Sequence, residues 1–259
     1  MATQINNLKL DLIAWITQIK QLDTLKQIFD LKASMEVKPM LPTEPFSKPK
    51  TRHTYQDIRE IADKFPKDKK WTYTEALHVF PANLKVKVEI LNNKLIIMAS
   101  LSYIHQKISN KLSNKMTNFV EENNLGEILC APMDTKFDED NVEQPDIMFI
   151  AITRFDIIED NIIAGAPDLI VEIISPANKK QEREEKHALY ERTGVKEYWT
   201  IHPKKRHVKV ETLENEKFQV FSEGKKEGTI QSKLLNGFEI KIEDLMPESL
   251  FQNVKKKKS

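Results

Sequence analysis

An internal disulfide framework is excluded, because the sequence contains a single cysteine, Cys130, among its 259 residues. That cysteine and the six scattered histidines also show no zinc-ligand spacing. Compartments inside the cell keep thiols reduced, and proteins that fold there seldom depend on disulfides. We therefore expect an intracellular, cytoplasmic protein.

Long apolar runs are missing as well. No stretch approaches the roughly 18 apolar residues of a membrane-spanning helix. The N-terminal stretch MATQINNLKLDLIAW lacks the basic and then apolar order of a signal peptide. We therefore expect no membrane partner. The net charge of +1 neither favours nor excludes nucleic acid, since binding depends on a local basic patch.

The apolar content of 40% and the charged content of 31% are typical of a soluble globular protein. Residues 1–35 carry apolar side chains at helical spacing and predict an N-terminal helical segment. Residues 36–70 are rich in proline and predict an extended linker. We place one folded domain at 71–251 and a basic tail at 252–259.

Strand and helix patterns are mixed within the predicted domain. The runs at 85–90 and 94–99 flank Asn92 and Asn93, which tolerate positive φ, so a β-hairpin is expected. Apolar residues at every fourth position, followed by Gly126, predict a helix: Ile104, Ile108, Leu112, Met116 and Val120. Further strands are predicted at 127–138, 145–150, 168–174, 198–201, 206–212 and 217–221, with a helix at 178–192. This mixture indicates an α/β or α+β layer fold.

Glu172 interrupts an apolar run of the kind found in strands that are buried on both faces. An ionised carboxylate there costs several kcal/mol unless a base or a metal ion compensates it. Asp168 lies on the same strand face but about 13 Å away, which is too far to share an ion. Asp146, at the start of a second buried strand, is the better partner. Two carboxylates on adjacent strand ends suit a hard divalent cation.

Two further residues complete the candidate site. Glu89 is a third carboxylate within an apolar strand, and Lys186 lies on the helix that follows the strand of Glu172. A lysine beside metal-bound carboxylates can orient or deprotonate an attacking water and offset charge on a pentavalent phosphate. The set therefore suits phosphodiester hydrolysis.

Each of these residues also has a structural interpretation. Glu182 and Lys186 could form only a salt bridge between successive helical turns. Asp168 could be a turn or cap residue, and Glu89 could be an exposed edge residue. His105 beside the helical apolar stripe is interpreted as a packing or partner-binding histidine rather than a metal ligand. Three aromatic side chains are interpreted as core or interface residues: Tyr190, Tyr198 and Trp199.

A glutamate in a first hairpin, Pro-Asp at a buried strand, a glutamate in the next strand and a lysine on the following helix occur in that order. This order is similar to that of the PD-(D/E)XK restriction-endonuclease-like superfamily. More closely, the segments KVEILNNKLIIMASLSYIHQKIS, EQPDIMFI, GAPDLIVEIISPANKKQEREEKHALYERTGVKEYWTIHP and LLNGFEIKIEDL resemble the Uma-two family, described as bacterial endonucleases. The resemblance runs from about Trp71 to Phe251.

The resemblance implies a mixed α+β fold with a restriction-endonuclease-like central mixed sheet flanked by helices. It implies that Asp146 and Glu172 bind Mg²⁺, with Mn²⁺ as an alternative ion, that Glu89 supports them, and that Lys186 is the catalytic lysine. One departure stands out. Ile174 occupies the position where the motif expects lysine, so Lys186 must reach the site from the helix.

The leading prediction is therefore a magnesium-dependent DNA endonuclease that works as a homodimer. The basic stretches KKRHVK and SEGKKEG are candidate phosphate contacts or ordinary solvated loops. One rival is a nuclease-like fold that binds nucleic acid or a partner protein without cutting. A second rival is an accessory protein of an addiction module or mobile element, whose N-terminal helices bind a protein partner.

Overall fold

The computed structural model describes residues 69–79, 87–98, 101–175 and 179–255. The predicted N-terminal helical segment and nearly all of the predicted linker lie outside these residues.

Helices and strands alternate through the described residues. The helices are α1 (Tyr73–Val79), α2 (Tyr103–Glu122), α3 (Lys180–Arg192), α4 (Ile242–Leu245) and α5 (Glu248–Lys255). The strands are β1 (Lys87–Leu91), β2 (Lys94–Met98), β3 (Gly126–Cys130), β4 (Asp134–Asp138), β5 (Asn141–Glu143), β6 (Ile147–Ala151), β7 (Ile158–Glu159), β8 (Ile162–Ala164), β9 (Leu169–Ile173), β10 (Glu197–His202), β11 (His207–Glu214), β12 (Lys217–Lys225), β13 (Thr229–Gln231) and β14 (Glu239–Lys241). Short 3-10 turns lie at Ile152–Ile157 and Pro203–Lys205.

The first sheet has six strands in the order β12-β11-β10-β9-β6-β3. Strands β9 and β10 are parallel and are joined through α3, whereas the other neighbours are antiparallel. A parallel pair needs a crossover connection of this kind. The predicted mixed sheet is confirmed, and every residue of β9 is buried, as the apolar run indicated.

One face of the first sheet is covered by α2. Its apolar stripe packs against the inward residues of β6, β9, β10 and β11 in one buried cluster. The stripe contains the residues predicted from the four-residue spacing, and Ile108, Leu112 and Met116 are fully buried. The helix begins at a serine cap, because the Ser102 hydroxyl accepts a hydrogen bond from the His105 backbone N–H.

A second six-stranded sheet, in the order β2-β1-β5-β4-β8-β7, was not anticipated. It packs with α3 on the opposite face of the first sheet, where Leu91, Ile170, Tyr190 and Tyr198 share a buried cluster. The chain passes from the second sheet into the first between β5 and β6, through Gln144 and Pro145. This crossing brings polar strand ends of both sheets together.

The predicted hairpin is confirmed as β1–β2, with Asn92 at φ 51° and Asn93 at φ 61°. Two positive φ angles give a turn whose twist matches that of paired strands. The Asn92 N–H donates to Asn141 Oδ1 at 2.9 Å, and the Asn93 N–H donates to the Asp140 carbonyl at 3.0 Å. These bonds tie the hairpin to the turn that precedes β5.

The segment predicted as strand at 127–138 belongs to two sheets. Strand β3 pairs with β6 in the first sheet, and β4 pairs with β5 in the second. Between them lies a cis Ala131–Pro132 peptide bond, and proline cannot donate to a strand ladder. The alternation of side chains alone does not reveal this change of partner.

Gly126 has a different role from the predicted helix stop. Helix α2 ends at Glu122, and Asn124 takes the left-handed conformation there with φ 52°. Gly126 opens β3, where an added Cβ would lie 2.1 Å from the Ile150 carbonyl oxygen. Close approach of two strands therefore requires a glycine at this position.

The chain end also differs from the prediction, because α5 continues to Lys255 and includes part of the predicted basic tail. None of the helices in the described ranges is long and apolar enough to cross a membrane.

Candidate active site

Asp146 and Glu172 lie on neighbouring strands of the first sheet. The antiparallel register pairs Ile147 with Val171, so one further step places Asp146 opposite Glu172. The backbone N–H of Ile173 donates to Asp146 Oδ2 at 2.8 Å. Both carboxylates are almost completely buried. The structure thus brings together the two residues that the sequence selected.

Glu89 and Glu143 form a second carboxylate pair, on the second sheet. Ile90 of β1 pairs with Val142 of β5, which places Glu89 opposite Glu143. Glu89 is 1% exposed, so its interpretation as an exposed edge residue is wrong. Sequence reasoning missed Glu143. In the sequence Glu143 is only a charged residue shortly before Pro145. Polar residues are common before turns, so this position did not stand out.

Lys186 on α3 contacts carboxylates from both sheets. Its Nζ lies 2.9 Å from Glu89 Oε2, 2.8 Å from Glu143 Oε2 and 3.4 Å from Glu172 Oε1. The interpretation of Lys186 as only a partner of Glu182 is therefore wrong. Glu182 instead accepts a hydrogen bond from the backbone N–H at the start of α3, at 3.1 Å.

Four buried carboxylates thus converge where the two sheets meet α3. They are called the acidic cluster: Glu89, Glu143, Asp146 and Glu172.

A second lysine, Lys87, belongs to this site and was missed. Its Nζ lies 3.0 Å from Glu89 Oε1, and only 13% of its side chain is exposed. Residues two apart on a strand point to the same face, so the order Lys87-Val-Glu89 contained this signal. The Gln144 backbone N–H also donates to Glu89 Oε1 at 3.0 Å.

Two further side chains hold the carboxylates of the first sheet. The Tyr190 hydroxyl donates to Glu172 Oε1 at 2.7 Å, from a position one turn after Lys186. His105 Nε2 lies 3.0 Å from Asp146 Oδ2. His105 is therefore more than a packing residue, because it fixes the orientation of Asp146.

The interpretation of the aromatic residues as core side chains is confirmed for Tyr198 and Trp199 and is incomplete for Tyr190. All three are buried. Tyr190 packs in the core and also reaches the acidic cluster through its hydroxyl group.

Burial opposes ionisation of Glu89, yet the ammonium groups of Lys186 and Lys87 lower its pKa to about 2. Burial also opposes ionisation of Asp146, but the contact with His105, the charge of Lys87 and the hydrogen bond from the Ile173 N–H together outweigh burial and lower the pKa of Asp146. Both carboxyl groups are therefore ionised at neutral pH.

The other two carboxyl groups behave in the opposite way. Burial raises the pKa of Glu143 well above its ordinary value, in spite of the Lys186 ammonium. Burial also raises the pKa of Glu172, and the charge of Asp146 adds to this increase, although the Lys186 ammonium opposes it. Burial would lower the pKa of Lys186, but its carboxylate neighbours raise it well above the ordinary value.

Asp168 lies apart from this site and has a structural role. Its Oδ2 accepts a hydrogen bond from the Ala151 N–H at 2.9 Å. Its Oδ1 lies 3.2 Å from Arg154 Nη1 and 2.8 Å from Lys196 Nζ. Its interpretation as a cap at the strand entrance is therefore supported.

The family profile Uma2, described as "Putative restriction endonuclease", matches residues 74–243, about two thirds of the chain. The chain belongs to the Uma2 family. The resemblance drawn from the sequence segments is thereby confirmed.

A crystal structure of a protein from Anabaena variabilis, described as a putative nuclease belonging to DUF820, has a similar fold. Its TM-score is 0.56 at 20% sequence identity, over 68% of this chain and 97% of that chain. None of the curated proteins compared with the sequence matches it significantly.

The donors of the Uma2 domain suit a hard divalent cation. Across the described ranges no three His, Cys, Asp or Glu side chains are already grouped as ligands of a metal ion. The acidic cluster nevertheless offers only carboxylate oxygens, which Mg²⁺ prefers. When all groups are ionised, its four carboxylates exceed the two ammonium groups of Lys87 and Lys186 by two negative charges. Glu143 Oε1 has no hydrogen-bond partner among the described residues.

Proposed function

We propose that the chain is a divalent-metal-dependent endonuclease that hydrolyses phosphodiester bonds in DNA. In this proposal Asp146 and Glu172 hold Mg²⁺ or Mn²⁺, Glu89 completes the ligand set, and Lys186 is the catalytic lysine. The observation that carries the proposal is the convergence of four buried carboxylates where the two sheets meet α3. Membership of the Uma2 family supports it.

A divalent ion bound at such a site lowers the pKa of a water molecule and offsets negative charge on a phosphate. The protein's own contribution is to fix the carboxylates. Asp146 is held by the His105 ring and by the Ile173 N–H, both on Oδ2. Glu172 is held by the Tyr190 hydroxyl. Such supporting bonds orient metal ligands, and those to Asp146 also favour its ionised form.

Lys186 has a separate task in the proposed reaction. Water attacks phosphorus, a P–O bond to the leaving oxygen breaks, and negative charge grows on the phosphate oxygens. An ammonium surrounded by carboxylates stays charged, which suits Lys186 to stabilise this growing charge or to orient the water. Deprotonation of the water by Lys186 is less well supported, because its contacts favour the protonated form.

The experiment that tests the proposal is DNA cleavage by the full chain. Supercoiled plasmid and single-stranded DNA are incubated in Mg²⁺, Mn²⁺ or EDTA, and nicks are followed on gels. We expect cutting that depends on the metal and is reduced roughly 100-fold or more by Asp146→Asn, Glu172→Gln and Lys186→Met. Folding of each variant is checked by circular dichroism.

Glu239→Gln is the matched control, because it removes one carboxylate charge at an exposed position of β14. It should cut as fast as the unchanged protein. Cutting that survives Asp146→Asn, or that proceeds equally in EDTA, would contradict the proposed site.

A nuclease-like fold that binds nucleic acid or protein without cutting is the second candidate. One observation favours it: the Lys186 ammonium already contacts three carboxylates, so a metal ion would have to compete with it. DNA binding without cleavage in any metal would support this candidate. The homodimer, the cytoplasmic location and an addiction-module partner bound through residues 1–35 stay predictions.

A further inference from the structure

A cleft lies beside the acidic cluster, between α3 and the strands β10 and β11. Its volume is about 320 Å³. We call it the basic cleft, and the lining residues that matter here are Lys180, Arg183, Thr200, His202, His207 and Lys209. The last two belong to the stretch KKRHVK that the sequence marked as a candidate phosphate contact.

The basic cleft lies next to the candidate active site, on the same face of the first sheet. Thr200 of β10 pairs with Glu172 of β9, and Lys209 of β11 pairs with Thr200. Neighbouring strands lie about 4.8 Å apart, so the cleft extends from roughly 5 to 10 Å beyond Glu172. Along one nucleic-acid strand a phosphate recurs about every 3.4 Å of axis. This span therefore corresponds to about one to three nucleotides.

The charges around the cleft favour an anion at its centre. His202 and His207 stack there with ring centroids 6.1 Å apart. Burial lowers the pKa of His202 to about 4, and the charges that lower it further are all cationic: Lys205, His207, Arg183 and Lys209. Cationic side chains from α3, β11 and the turn between β10 and β11 therefore lie close to His202.

Carboxylates at the margin hold the basic side chains of the cleft in place. Glu211 Oε2 lies 2.8 Å from Lys209 Nζ, and Glu223 Oε1 lies 2.7 Å from His207 Nε2. Glu184, which itself lines the cleft, has its Oε1 3.4 Å from Lys180 Nζ. They reduce the net charge of the cleft, yet the charges with the largest effect on His202 are those of cations.

We propose that the basic cleft binds a backbone phosphate of the nucleic-acid strand, one to three nucleotides from the phosphate that is cut. This inference rests on the proposed nuclease function, because it takes the phosphate to belong to the substrate strand. A contact of this kind positions the strand without reading its sequence. It would hold the scissile phosphate over the acidic cluster.

The test measures the binding of a labelled oligothymidine to the full chain in EDTA. Fluorescence anisotropy gives the affinity at several salt concentrations. The double variant Arg183→Gln/Lys209→Gln should bind about tenfold more weakly, and the slope of log affinity against log salt should fall by about 1 to 2. The control Lys217→Gln/Lys241→Gln removes the same charge from exposed positions outside the cleft and should bind as the unchanged protein does. Equal affinity of both double variants would overturn the inference.

Histidine NMR provides a second measurement. A bound phosphate would make the potential at His202 less positive and raise its pKa, so the oligothymidine should shift that titration upward. The charged and titratable groups around this ring are Lys180, Arg183, Glu184, His187, Lys205, His207 and Lys209, with Glu211 and Glu223 paired to the last two of these at the margin. An unchanged His202 pKa with the oligothymidine bound would overturn the inference.

The same titration with inorganic phosphate separates two sources of the anion. If inorganic phosphate raises the pKa of His202 while oligothymidine leaves it unchanged, the cleft is a small-anion site and the strand assignment is wrong.

DNA cleavage with normal oligothymidine affinity in the Arg183→Gln/Lys209→Gln variant would overturn the cleft assignment and leave the nuclease proposal intact. Binding through the cleft by a chain that cuts nothing would support the cleft and contradict the nuclease.

Discussion

Lys186 contacts carboxylates from three strands, β1, β5 and β9. Removing an ammonium from water costs several kcal/mol, and close carboxylates offset that cost only while all partners are present. The same holds for Glu143 and Glu172, which contact no other ammonium group among the described residues, whereas Glu89 also contacts Lys87. Lys186 therefore stabilises the junction of the two sheets as well as serving the proposed reaction.

Replacing Lys186 by methionine, which fills a similar volume, should lower the free energy of unfolding by about 3 kcal/mol at neutral pH. The reason is that the variant leaves buried carboxylates without their cation. Urea denaturation measures the change. Lys217→Met, at an exposed position of β12, should stay within about 0.5 kcal/mol of the unchanged protein. Similar losses in the two variants would show that the Lys186 contacts contribute no more than a surface pair.

The sequence located part of this site because some residues stand out from their surroundings. Glu172 interrupts an apolar run, and Asp146 opens another after a proline. Glu143 stands in a short run before a proline, where a charged residue is unremarkable. Its contribution follows from the pairing of β1 with β5, which no local pattern encodes.

Among the elements, β9 depends on a buried aspartate at its entrance. Asp168 accepts a hydrogen bond from the end of β6 and pairs with Arg154 and Lys196. Burial opposes its ionisation, but the Ala151 N–H and the two cations outweigh burial and lower its pKa. Asp168 thus links β9, β6 and the loop before β10.

Asp168→Asn should lower the free energy of unfolding by about 2 kcal/mol at pH 7, because hydrogen bonds and ion pairs to a charged group are lost. The folded pKa lies below the unfolded value of about 3.9, so this stabilisation is fully present above that value. It is lost as the pH falls through the folded pKa. Denaturation at several pH values should show that the difference in the free energy of unfolding between Asp168→Asn and the unchanged protein narrows below about pH 4. Asp156→Asn, at an exposed position, is the control, and a difference that does not narrow would contradict the role of the charge.

The ladder between β3 and β6 depends on Gly126. Gly126→Ala should cost about 2 to 3 kcal/mol, because its Cβ would meet the Ile150 carbonyl and the backbone has φ 153°. Gly194 has φ 85° but nothing within 4 Å of an added Cβ, so Gly194→Ala should cost about 1 kcal/mol. Thermal or urea unfolding gives both values. A larger loss of stability in Gly194→Ala than in Gly126→Ala would show that the contact between β3 and β6 adjusts easily to an added Cβ.

Periodicity predicted most of these elements, because apolar spacing records burial directly. The stripe of α2 and the buried run of β9 are examples. The same spacing does not record which strands pair. Residues 127–138 alternate in a way that fits one strand, yet they serve two sheets.

At the scale of the whole molecule, the acidic cluster exists because two sheets and α3 meet at one place. Glu89 and Lys186 are 97 residues apart along the chain and in direct contact in the fold. The sequence assigned both residues to one candidate site from their types and order, but their direct contact depends on the fold. The basic cleft has the same origin, since α3 and β11 together form its walls.

The central claim is that the acidic cluster takes up a divalent cation. The most direct measurement is a calorimetric titration of Mn²⁺ into the full chain, beside Asp146→Asn, Glu172→Gln and the exposed control Glu239→Gln. The account predicts binding to the unchanged protein and to the control, and loss of binding in the two cluster variants. Equal binding in all four proteins, or none in the unchanged protein, would contradict it.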